Sequence, residues 1–546
     1  MCGIWCALST RQPVWPSPET LRLLERRGPD SSSGCAAAID WQTDTLQVAF
    51  HATVLSLRGQ STVEQPYRSG ALGSILCWNG EAWKIAGQPP ILDNDTAAVS
   101  QLLDGVELSP NEQVCRSEAV AGYAAKMAKT LSQIAGPYAL VYYDPANRIL
   151  FFGRDFLGRR SLLTRVTADG ELQISSVAAA EDTGRAIVWS EVEADGLHYV
   201  DLMSYETGFG PDDAIKSRVM TQKVPYHFMD ADEDAALSVI PLLSLNRDIS
   251  SLGLRLSSAA PAVQRLEALL RSALHRRLAT IRPDSSSTSS LAVLFSGGLD
   301  CTVLTRLSHD IHPSHESIDL LNVAFENPRA HKEQIAAGTD PYERCPDRIT
   351  GRASHAELMR VCPGRRWIFV AINVPYSETM AHKERVVELM QPHNTEMDLS
   401  IACALYFAAR GSGISSLSSD RPAEPATTSA RVLLSGLGAD EVFGGYQRHA
   451  TAFSRNRFDG LLDELDLDIG RLGKRNLGRD DRVISDWGRE ARFPFLDEGL
   501  LAWALAAPVY EKCGFGEEMS KAQDGMDGSE LLEPGKKVLR CLAWKL

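Results

Sequence analysis

The sequence predicts an α+β region rich in short strands at the amino terminus, followed by an α/β region built on a parallel sheet. Short β-branched and aromatic runs separated by turns fill the first 185 residues. From residue 291 onward, strand-like apolar runs alternate with helical runs, which is typical of a parallel sheet covered by helices. A glycine turn between the first of these strands and its helix marks the sheet edge where ligands bind.

The amino-terminal region is predicted to contain five strands and one helix. Strands are expected where β-branched or aromatic residues dominate, at 47–54, 74–78, 138–143, 149–152 and 171–175. Residues 95–103 are predicted to be helical. Residues 186–260 carry no motif, and we expect a connector with some structure of its own.

The α/β region is predicted from four buried strands, at 291–295, 319–325, 367–372 and 431–434. Helices are expected at 263–277, 303–307, 385–390, 399–410 and 500–505. Residues 411–430 are rich in Ser, Pro and Ala, and this composition predicts a surface loop.

Composition excludes several classes of protein. The net charge of −14 argues against nucleic-acid binding driven by bulk charge, and no apolar run reaches the length of a membrane span. The eleven cysteines are odd in number and form no CxxC pair, which fits reduced thiols better than a disulfide framework or a zinc site. With no signal peptide evident, we expect a cytoplasmic protein of two to four domains.

The glycine turn of the α/β region has the features of a phosphate site. An apolar run ends at Ser-Gly-Gly (296–298), and Asp300 precedes a helical run. Backbone N–H groups in such a turn, with the following helix N-terminus, attract an anion. We therefore predict a nucleotide phosphate here, with an ordinary strand-to-helix turn as the alternative. No Lys follows the glycines, so this is not the GxxxxGK[ST] loop.

A second turn of this kind follows the predicted strand at 431–434. Ser435 and Gly436 precede the acidic residue Asp440, and two such turns of one sheet would face each other across a nucleotide. Asp300 and Asp440 are then candidate Mg²⁺ ligands, because Mg²⁺ prefers carboxylate and phosphate oxygens. The alternative is that the acidic pair Asp440–Glu441 caps a helix.

The chain begins Met1-Cys2-Gly3. Removal of Met1 is expected because Cys is small, and it would leave a thiol and an α-amino group on one residue, a self-contained nucleophile and base. Asn79 and Gly80 offer a side-chain amide and a backbone N–H suited to an oxyanion hole. The alternative for Cys2 is a buried cysteine in a first strand.

Taken together, the motifs at 1–4, 27–30, 78–81, 153–160, 296–300, 435–446 and 490–497 resemble the asparagine synthetase family. The resemblance covers nearly the whole chain, and the runs at 57–59, 346–352 and 476–482 resemble its subgroup of asparagine synthetase domain-containing proteins. It implies an N-terminal nucleophile sandwich of the class II glutamine amidotransferase type at 2–185. A connector at 186–260 and an ATP-pyrophosphatase domain, of the adenine nucleotide alpha hydrolase-like fold, at 261–546 would follow.

The resemblance also implies a reaction: asparagine synthesis from aspartate and ATP through β-aspartyl-AMP, with ammonia released from glutamine. Catalysis of glutamine hydrolysis would fall to Cys2, Asn79 and Gly80. Glutamine would be bound by Arg58, Glu81 and Asp95. The implied ATP site consists of Leu294, Ser296, Gly297, Gly298, Asp300, Ala324, Ser435 and Gly436, with Mg²⁺ on Asp300 and Asp440. The implied partners are these small molecules, neither nucleic acid nor membrane, with a homodimer left open.

Three positions depart from the family pattern. Leu437 stands where the family has Glu, and Cys301 stands where it has Ser, which is a better donor to phosphate. A straight alignment puts Val54 where the family has the Arg that holds the glutamine carboxylate. Arg58, four residues later, is the nearest candidate.

The end of the chain differs as well. The family continues with a Lys-rich loop that contacts pyrophosphate, and the sequence stops at Leu546, which leaves open whether its C-terminus is complete. Lys536 and Lys537 lie upstream of that loop and are predicted to be poor substitutes. Four functions therefore stay open: the full synthetase, an impaired binding or regulatory protein, a glutaminase alone, and an amide-forming enzyme for another carboxylate.

Overall fold

The computed structural model describes residues 1–41, 44–70, 72–90, 94–108, 114–179, 188–204, 221–228, 238–249, 255–282, 289–329, 340–415, 424–517 and 528–546. Two compact units are present. Unit 1 comprises Met1–Ile240, His382–Tyr406 and Gly473–Glu490, and unit 2 comprises Pro241–Ala381, Phe407–Leu472 and Ala491–Leu546. The predicted domain ranges 2–185, 186–260 and 261–546 were drawn from sequence motifs, whereas the two units are defined by contacts between residues. The domain ranges therefore stay a prediction.

Unit 1 contains two antiparallel six-stranded sheets. The first has the order β12-β10-β11-β1-β3-β2 and consists of β1 (Gly3–Ser9), β2 (Ser31–Trp41), β3 (Asp44–Val54), β10 (Leu163–Val166), β11 (Leu172–Ser175) and β12 (Ser190–Glu191). The second has the order β14-β13-β9-β8-β5-β4 and consists of β4 (Tyr67–Arg68), β5 (Ile75–Gly80), β8 (Tyr138–Asp144), β9 (Ile149–Arg154), β13 (Gly196–Asp201) and β14 (Gln222–Pro225). A small pair joins β6 (Lys84–Ile85) and β7 (Ile134–Ala135). Each of the five predicted strands overlaps an observed one.

The inner faces of the two sheets share one apolar core. Alternate residues of a strand point to the same face, and on β1 the inward set is Ile4, Cys6 and Leu8. From the second sheet, Val141 and Phe152 enter the same cluster. The predicted sandwich is therefore present as two packed sheets. The described residues of the amino-terminal part, up to residue 240, form the helices Pro18–Arg27, Asp95–Asp104 and Arg116–Leu131.

Unit 2 is built on a seven-stranded sheet of order β19-β18-β17-β16-β15-β20-β21. Its strands are β15 (Leu291–Leu294), β16 (Ile318–Phe325), β17 (Trp367–Val374), β18 (Ser412–Ser415), β19 (Glu424–Thr427), β20 (Val432–Leu434) and β21 (Glu490–Arg492). β15 pairs in parallel with β16 and with β20, and β16 pairs in parallel with β17. From β15 the chain continues to β16 and β17 on one side and later enters β20 on the other. The crevice at the carboxyl end of β15 is therefore a topological switch point, where ligands bind in such sheets.

One prediction for this sheet was wrong. Residues 411–430 are not wholly a surface loop: Ser412–Ser415 and Glu424–Thr427 form an antiparallel pair on the edge strand β17. An edge strand offers unpaired backbone groups, and an extended segment beside it satisfies them whatever its composition. Residues 416–423 lie outside the described part.

The remaining helices are Pro261–Leu278, Leu299–Ile311, Pro346–Val361, Tyr376–Met390, Glu396–Arg410, Ala439–Phe443, Gln447–Arg475, Leu477–Ser485, Glu498–Ala506 and Lys537–Lys545. The long helix Gln447–Arg475 is interrupted by non-helical backbone at Asn456 and Arg457. Every predicted helix overlaps an observed one. Among the described helices, none combines the length and apolar character needed to cross a bilayer.

Candidate active sites

Cys2 is anchored on both sides of its α-carbon. Its backbone N–H donates to Asn79 Oδ1 at 3.0 Å, and its carbonyl oxygen accepts from Arg27 Nε at 3.3 Å. The next N–H, of Gly3, donates to Thr53 Oγ1 at 3.1 Å before the strand ladder takes over. The direction in which the thiol leaves the backbone is therefore fixed by three hydrogen bonds.

Asn79 and Gly80 lie beside Cys2 at the end of β5. Asn79 is 1% exposed, and its Nδ2 has no hydrogen-bond partner among the described residues. A buried donor without an acceptor is costly, so this one is suited to an oxygen that a ligand brings. A Cβ at Gly80 would lie 2.7 Å from the Pro137 carbonyl oxygen, so no side chain fits there. The role of Asn79 and Gly80 as an oxyanion hole stays a prediction.

Arg58, Glu81 and Asp95 come together around the backbone of Ala82. Asp95 Oδ2 accepts from Ala82 N–H at 2.8 Å and from Trp78 Nε1 at 3.2 Å. Arg58 Nη1 donates to the Ala82 carbonyl at 3.0 Å and lies 4.0 Å from Glu81 Oε2. Burial raises the pKa of Asp95, while Ala82 N–H and Arg58 oppose that rise. Two carboxylates and one guanidinium offer complements to both charges of a free amino acid, and their binding roles stay a prediction.

Gln65 is a residue of this site that sequence reasoning missed. Its side chain is buried, its Oε1 accepts from Trp78 N–H at 2.6 Å, and its Nε2 lies 4.0 Å from Cys2 Sγ. A single Gln in a loop carries no periodic or motif signal. Only the fold brings it across 63 residues to the thiol.

Met1 occupies the space next to the predicted nucleophile. It is buried, and this burial lowers the pKa of its amino group to about 5. Burial also raises the pKa of the Cys2 thiol, against the opposing charge of the α-amino group. In the unprocessed chain the thiol is therefore held neutral, and the nitrogen of Cys2 is an amide rather than a base.

The turn at 296–298 is braced by helix Pro346–Val361. Thr350 Oγ1 donates to the Ser296 carbonyl at 2.8 Å, and Ser354 Oγ donates to the Gly297 carbonyl at 2.8 Å. Gly297 has φ +81°, and a Cβ there would lie 2.3 Å from Gly351 N. The turn is thus restricted to glycine by both conformation and space. The sequence signal for these bracing residues was the run at 346–352, which indicated only a subgroup.

The structure brings the two predicted phosphate turns together. A Cβ at Gly436 would lie 2.9 Å from Asp300 Cβ. Lys536, expected to be a poor substitute because it lies upstream of the family's Lys-rich loop, sits between the two acids. Its Nζ is 2.9 Å from Asp300 Oδ2 and 2.9 Å from Asp440 Oδ1. Whether it contacts pyrophosphate stays a prediction, and a contact between residues 236 positions apart leaves no local pattern.

In this arrangement the carboxylates of Asp300 and Asp440 are paired with the ammonium of Lys536. Asp300 Oδ1 is buried without a partner among the described residues, and burial raises the pKa of Asp300 to about 6 although Lys536 lowers it. The described residues contain no group of three or more His, Cys, Asp or Glu able to hold a metal ion. Mg²⁺ at these two residues stays a prediction, and no chemical step is drawn through it.

The other predicted nucleotide residues line the same edge of the sheet. β15 ends at Leu294, and Ala324 is buried on the neighbouring β16. Cys301 Sγ lies 3.3 Å from the Gly298 carbonyl, so the thiol contacts the turn much as a Ser hydroxyl would. Leu437, half-buried, puts an apolar side chain where the family pattern has an acid.

Comparison with known proteins identifies relatives of the whole chain. Residues 421–465 match the asparagine synthase family model. Asparagine synthetase domain-containing protein 1 of Bos taurus is 33% identical, over 97% of this chain and 94% of that protein. The human protein of that name is 31% identical, over 97% and 93%. An asparagine synthetase domain-containing protein of Saccharomyces cerevisiae is 32% identical, over 88% and 79%.

Two further similarities are narrower. A putative glutamine-hydrolysing asparagine synthetase of Methanocaldococcus jannaschii is 45% identical over 82 residues, 15% of each chain. Among solved structures, glutamine phosphoribosylpyrophosphate amidotransferase of B. subtilis is 14% identical with a TM-score of 0.22, covering 61% of this chain and 70% of that one. A score this low carries no conclusion about this chain.

Proposed function

The chain belongs to the family of asparagine synthetase domain-containing protein 1, and on that premise we propose that it is a glutamine-dependent amide-forming enzyme. Cys2 releases ammonia from glutamine, and the site at the two turns activates a carboxylate with ATP. Aspartate is the first acceptor, and asparagine is the product. The observation that carries the proposal is the unpartnered Asn79 Nδ2, buried beside an anchored Cys2.

In the first half-reaction the residue Cys2 acts as nucleophile and base after Met1 is removed. Its amine takes the thiol proton, and the sulfur attacks the carboxamide carbon of glutamine. The oxyanion that forms accepts hydrogen bonds from Asn79 Nδ2 and Gly80 N–H. The proton passes to the leaving nitrogen, ammonia departs, and a thioester remains. Water then releases glutamate and restores the thiol.

The amino-acid end of glutamine fits the charged group around Ala82. Its ammonium would contact Asp95 and Glu81, and its carboxylate would contact Arg58. This orientation places the carboxamide toward Cys2 and makes binding separable from catalysis. Removal of a charge at this end is expected to raise KM before it lowers kcat.

In the second half-reaction the acceptor carboxylate attacks the α-phosphorus of ATP. Pyrophosphate leaves, and an acyl-AMP forms. Ammonia then attacks the acyl carbon and AMP leaves, which turns a poor acyl donor into an amide. The turns at 296–298 and 435–436 support phosphate binding, and Lys536 supplies positive charge there.

A second candidate function is nucleotide binding without turnover. Lys536 already pairs with both acids of the site, and Leu437 brings no acid to it. Glutamine hydrolysis by Cys2 would then be the only chemistry of the chain.

The deciding experiment measures pyrophosphate, AMP and glutamate from the full chain. ATP is offered with aspartate and a panel of other carboxylic acids, with either glutamine or ammonium. We expect aspartate-dependent pyrophosphate with both nitrogen sources, and with ammonium alone in Cys2→Ala. Cys35→Ala, which changes another half-buried thiol, is expected to behave as wild type. No pyrophosphate with any acid would remove the ATP half. Glutamate release that survives Cys2→Ala would remove the first half.

A further inference from the structure

Helix Leu477–Ser485 has an unusual environment for its sequence. It belongs to the segment Gly473–Glu490 of unit 1, and all nine of its residues are buried. Four consecutive residues are charged, Arg479, Asp480, Asp481 and Arg482. Buried charges are costly unless they are paired with good geometry, and truncating one partner is strongly destabilising. The partners of these buried charges therefore show which parts of unit 1 the helix stabilises.

Asp481 holds the guanidinium of Arg27. Its Oδ2 accepts from Arg27 Nη2 at 2.7 Å, and Ser485 Oγ, one turn further, accepts from Arg27 Nη1 at 2.6 Å. Both charged side chains are no more than 1% exposed. Asp481 Oδ2 also accepts from Ser161 N–H at 3.2 Å, so the carboxylate is itself fixed by backbone.

The third nitrogen of that guanidinium, Nε, contacts the backbone of the predicted nucleophile. Arg27 Nε donates to the carbonyl of Cys2, while the two terminal nitrogens of Arg27 are held by the helix. A planar guanidinium cannot turn one nitrogen without moving the others. The position of Asp481 therefore sets the position of the Cys2 carbonyl.

We propose that Asp481 is a positioning residue of the Cys2 site, acting through Arg27. The proposal rests on the proposed role of Cys2 as the nucleophile of glutamine hydrolysis. It means that the site is completed by a segment 454 residues further along the chain. Without this segment, the amino-terminal residues would leave Cys2 poorly positioned for attack on glutamine. A shift of Asp481 in helix Leu477–Ser485 would therefore shift the position of the Cys2 thiol.

The test compares two neighbouring ion pairs. Asp481→Asn removes the charge that holds Arg27. Asp486→Asn is the matched control, because Asp486 is also buried and pairs with the adjacent Arg26, Oδ1 at 2.9 Å from Nε and Oδ2 at 2.7 Å from Nη2. Both variants lose one charged hydrogen-bonded pair on helix Pro18–Arg27, and only one of these pairs continues to Cys2.

For Asp481→Asn we expect kcat of glutamine hydrolysis to fall by about 10- to 100-fold with KM within about twofold, since a small misplacement of a reacting group has this effect. Alkylation of Cys2 by iodoacetamide should become at least about threefold faster, because the loosened residue is more accessible. Asp486→Asn should keep both rates within about twofold. A general loss of stability would also lower kcat and speed alkylation, so the comparison with Asp486→Asn, which loses a similar buried pair, separates it from positioning.

Equal falls in kcat for both variants would overturn the proposal, and so would an unchanged kcat and alkylation rate in Asp481→Asn. If Asp481→Asn does not fold, Ser485→Ala takes its place with an expected fall of about fivefold; an unchanged rate there overturns the proposal as well. If the wild-type protein hydrolyses no glutamine, the proposed function fails. The alkylation rates of the variants still decide whether Asp481 positions Cys2.

Discussion

Around Cys2 a buried donor lacks a partner, whereas between the two phosphate turns the two acids share an internal counter-ion and, of their buried oxygens, only Asp300 Oδ1 is left without a partner among the described residues. Asn79 Nδ2 has no acceptor among the described residues. In the other site the ammonium of Lys536 bridges Asp300 and Asp440. A site with an unmet hydrogen bond gains directly when a ligand supplies it, while a site with an internal counter-ion must exchange partners first. We therefore expect a ligand at the first site to gain a hydrogen bond directly, and a ligand at the second to exchange with Lys536.

The largest test of this contrast removes the unmet donor. Asn79→Ala is expected to lower kcat for glutamate release by about 10²- to 10³-fold, as loss of one oxyanion donor does. KM should change little, because the charged end of glutamine is held elsewhere. Asn94→Ala is the control. Asn94 Oδ1 caps a helix by accepting from Thr96 N–H at 2.9 Å, so the variant is expected to lose stability while its kcat stays unchanged. A similar fall in both variants would contradict the oxyanion role.

The second test uses pH on a chain that retains Met1, prepared with methionine aminopeptidase inhibited. Burial raises the pKa of the Cys2 thiol above its ordinary value, so the neutral form prevails at pH 7. Because only the thiolate reacts, the iodoacetamide rate should rise about tenfold per pH unit through pH 9. The processed chain should level off at lower pH. A plateau below pH 8 in the unprocessed chain would show that its thiol is already activated.

The third test asks whether Lys536 competes with Mg²⁺ for the carboxylates of Asp300 and Asp440. Lys536→Met leaves two facing carboxylates without a cation, and its affinity for Mg²⁺ alone should rise by about tenfold. The thermal midpoint of this variant should then climb with MgCl₂ concentration, whereas that of the wild type stays flat. Lys537→Met, which breaks the neighbouring pair with Glu517, is the control. An equal climb in the wild-type protein would remove the contrast.

The smallest effect is expected at Thr350, which holds the phosphate turn at 296–298. Thr350→Val loses the hydrogen bond to the Ser296 carbonyl, and ATP affinity should fall by about fivefold, close to the value of one hydrogen bond. Thr451→Val is the matched control. Thr451 Oγ1 donates to the Gln447 carbonyl at 3.0 Å within its own helix, so this variant also loses a hydrogen bond to a carbonyl but none to a phosphate turn. Isothermal titration with ATP checks both. Equal affinities of the two variants would mean that the brace does not act on the nucleotide.

Much of the fold was predictable because local pattern carries it. Runs of β-branched and aromatic residues marked strands such as 138–143, and a glycine after an apolar run marked the turn at Gly297. The added pair at Ser412–Ser415 and Glu424–Thr427 was not predictable, since its residues have a loop composition. Backbone pairing at a sheet edge needs no side-chain pattern.

The residues of the candidate sites fall into the same two groups, those marked by a local pattern and those brought together only by the fold. Cys2, Asn79 and Gly80 lie in short motifs whose chemistry is visible in their residue types. Arg58 was found only as the nearest arginine to an expected position, and the structure places it 4.0 Å from Glu81 Oε2. Gln65 gave no signal, because nothing in its local sequence records a contact with a thiol 63 residues away.

The sequence by itself determined many of the strands, the two glycine turns and the residue types from which a nucleophile and an oxyanion hole are proposed. Those depend on neighbours within a few positions, where periodicity and backbone conformation act. Only the tertiary structure decided which charges meet, placing Lys536 on Asp300 and Asp481 on Arg27. Pairings across 236 and 454 residues follow from how the chain closes on itself, and a charged side chain looks the same in sequence whether it faces solvent or a buried partner.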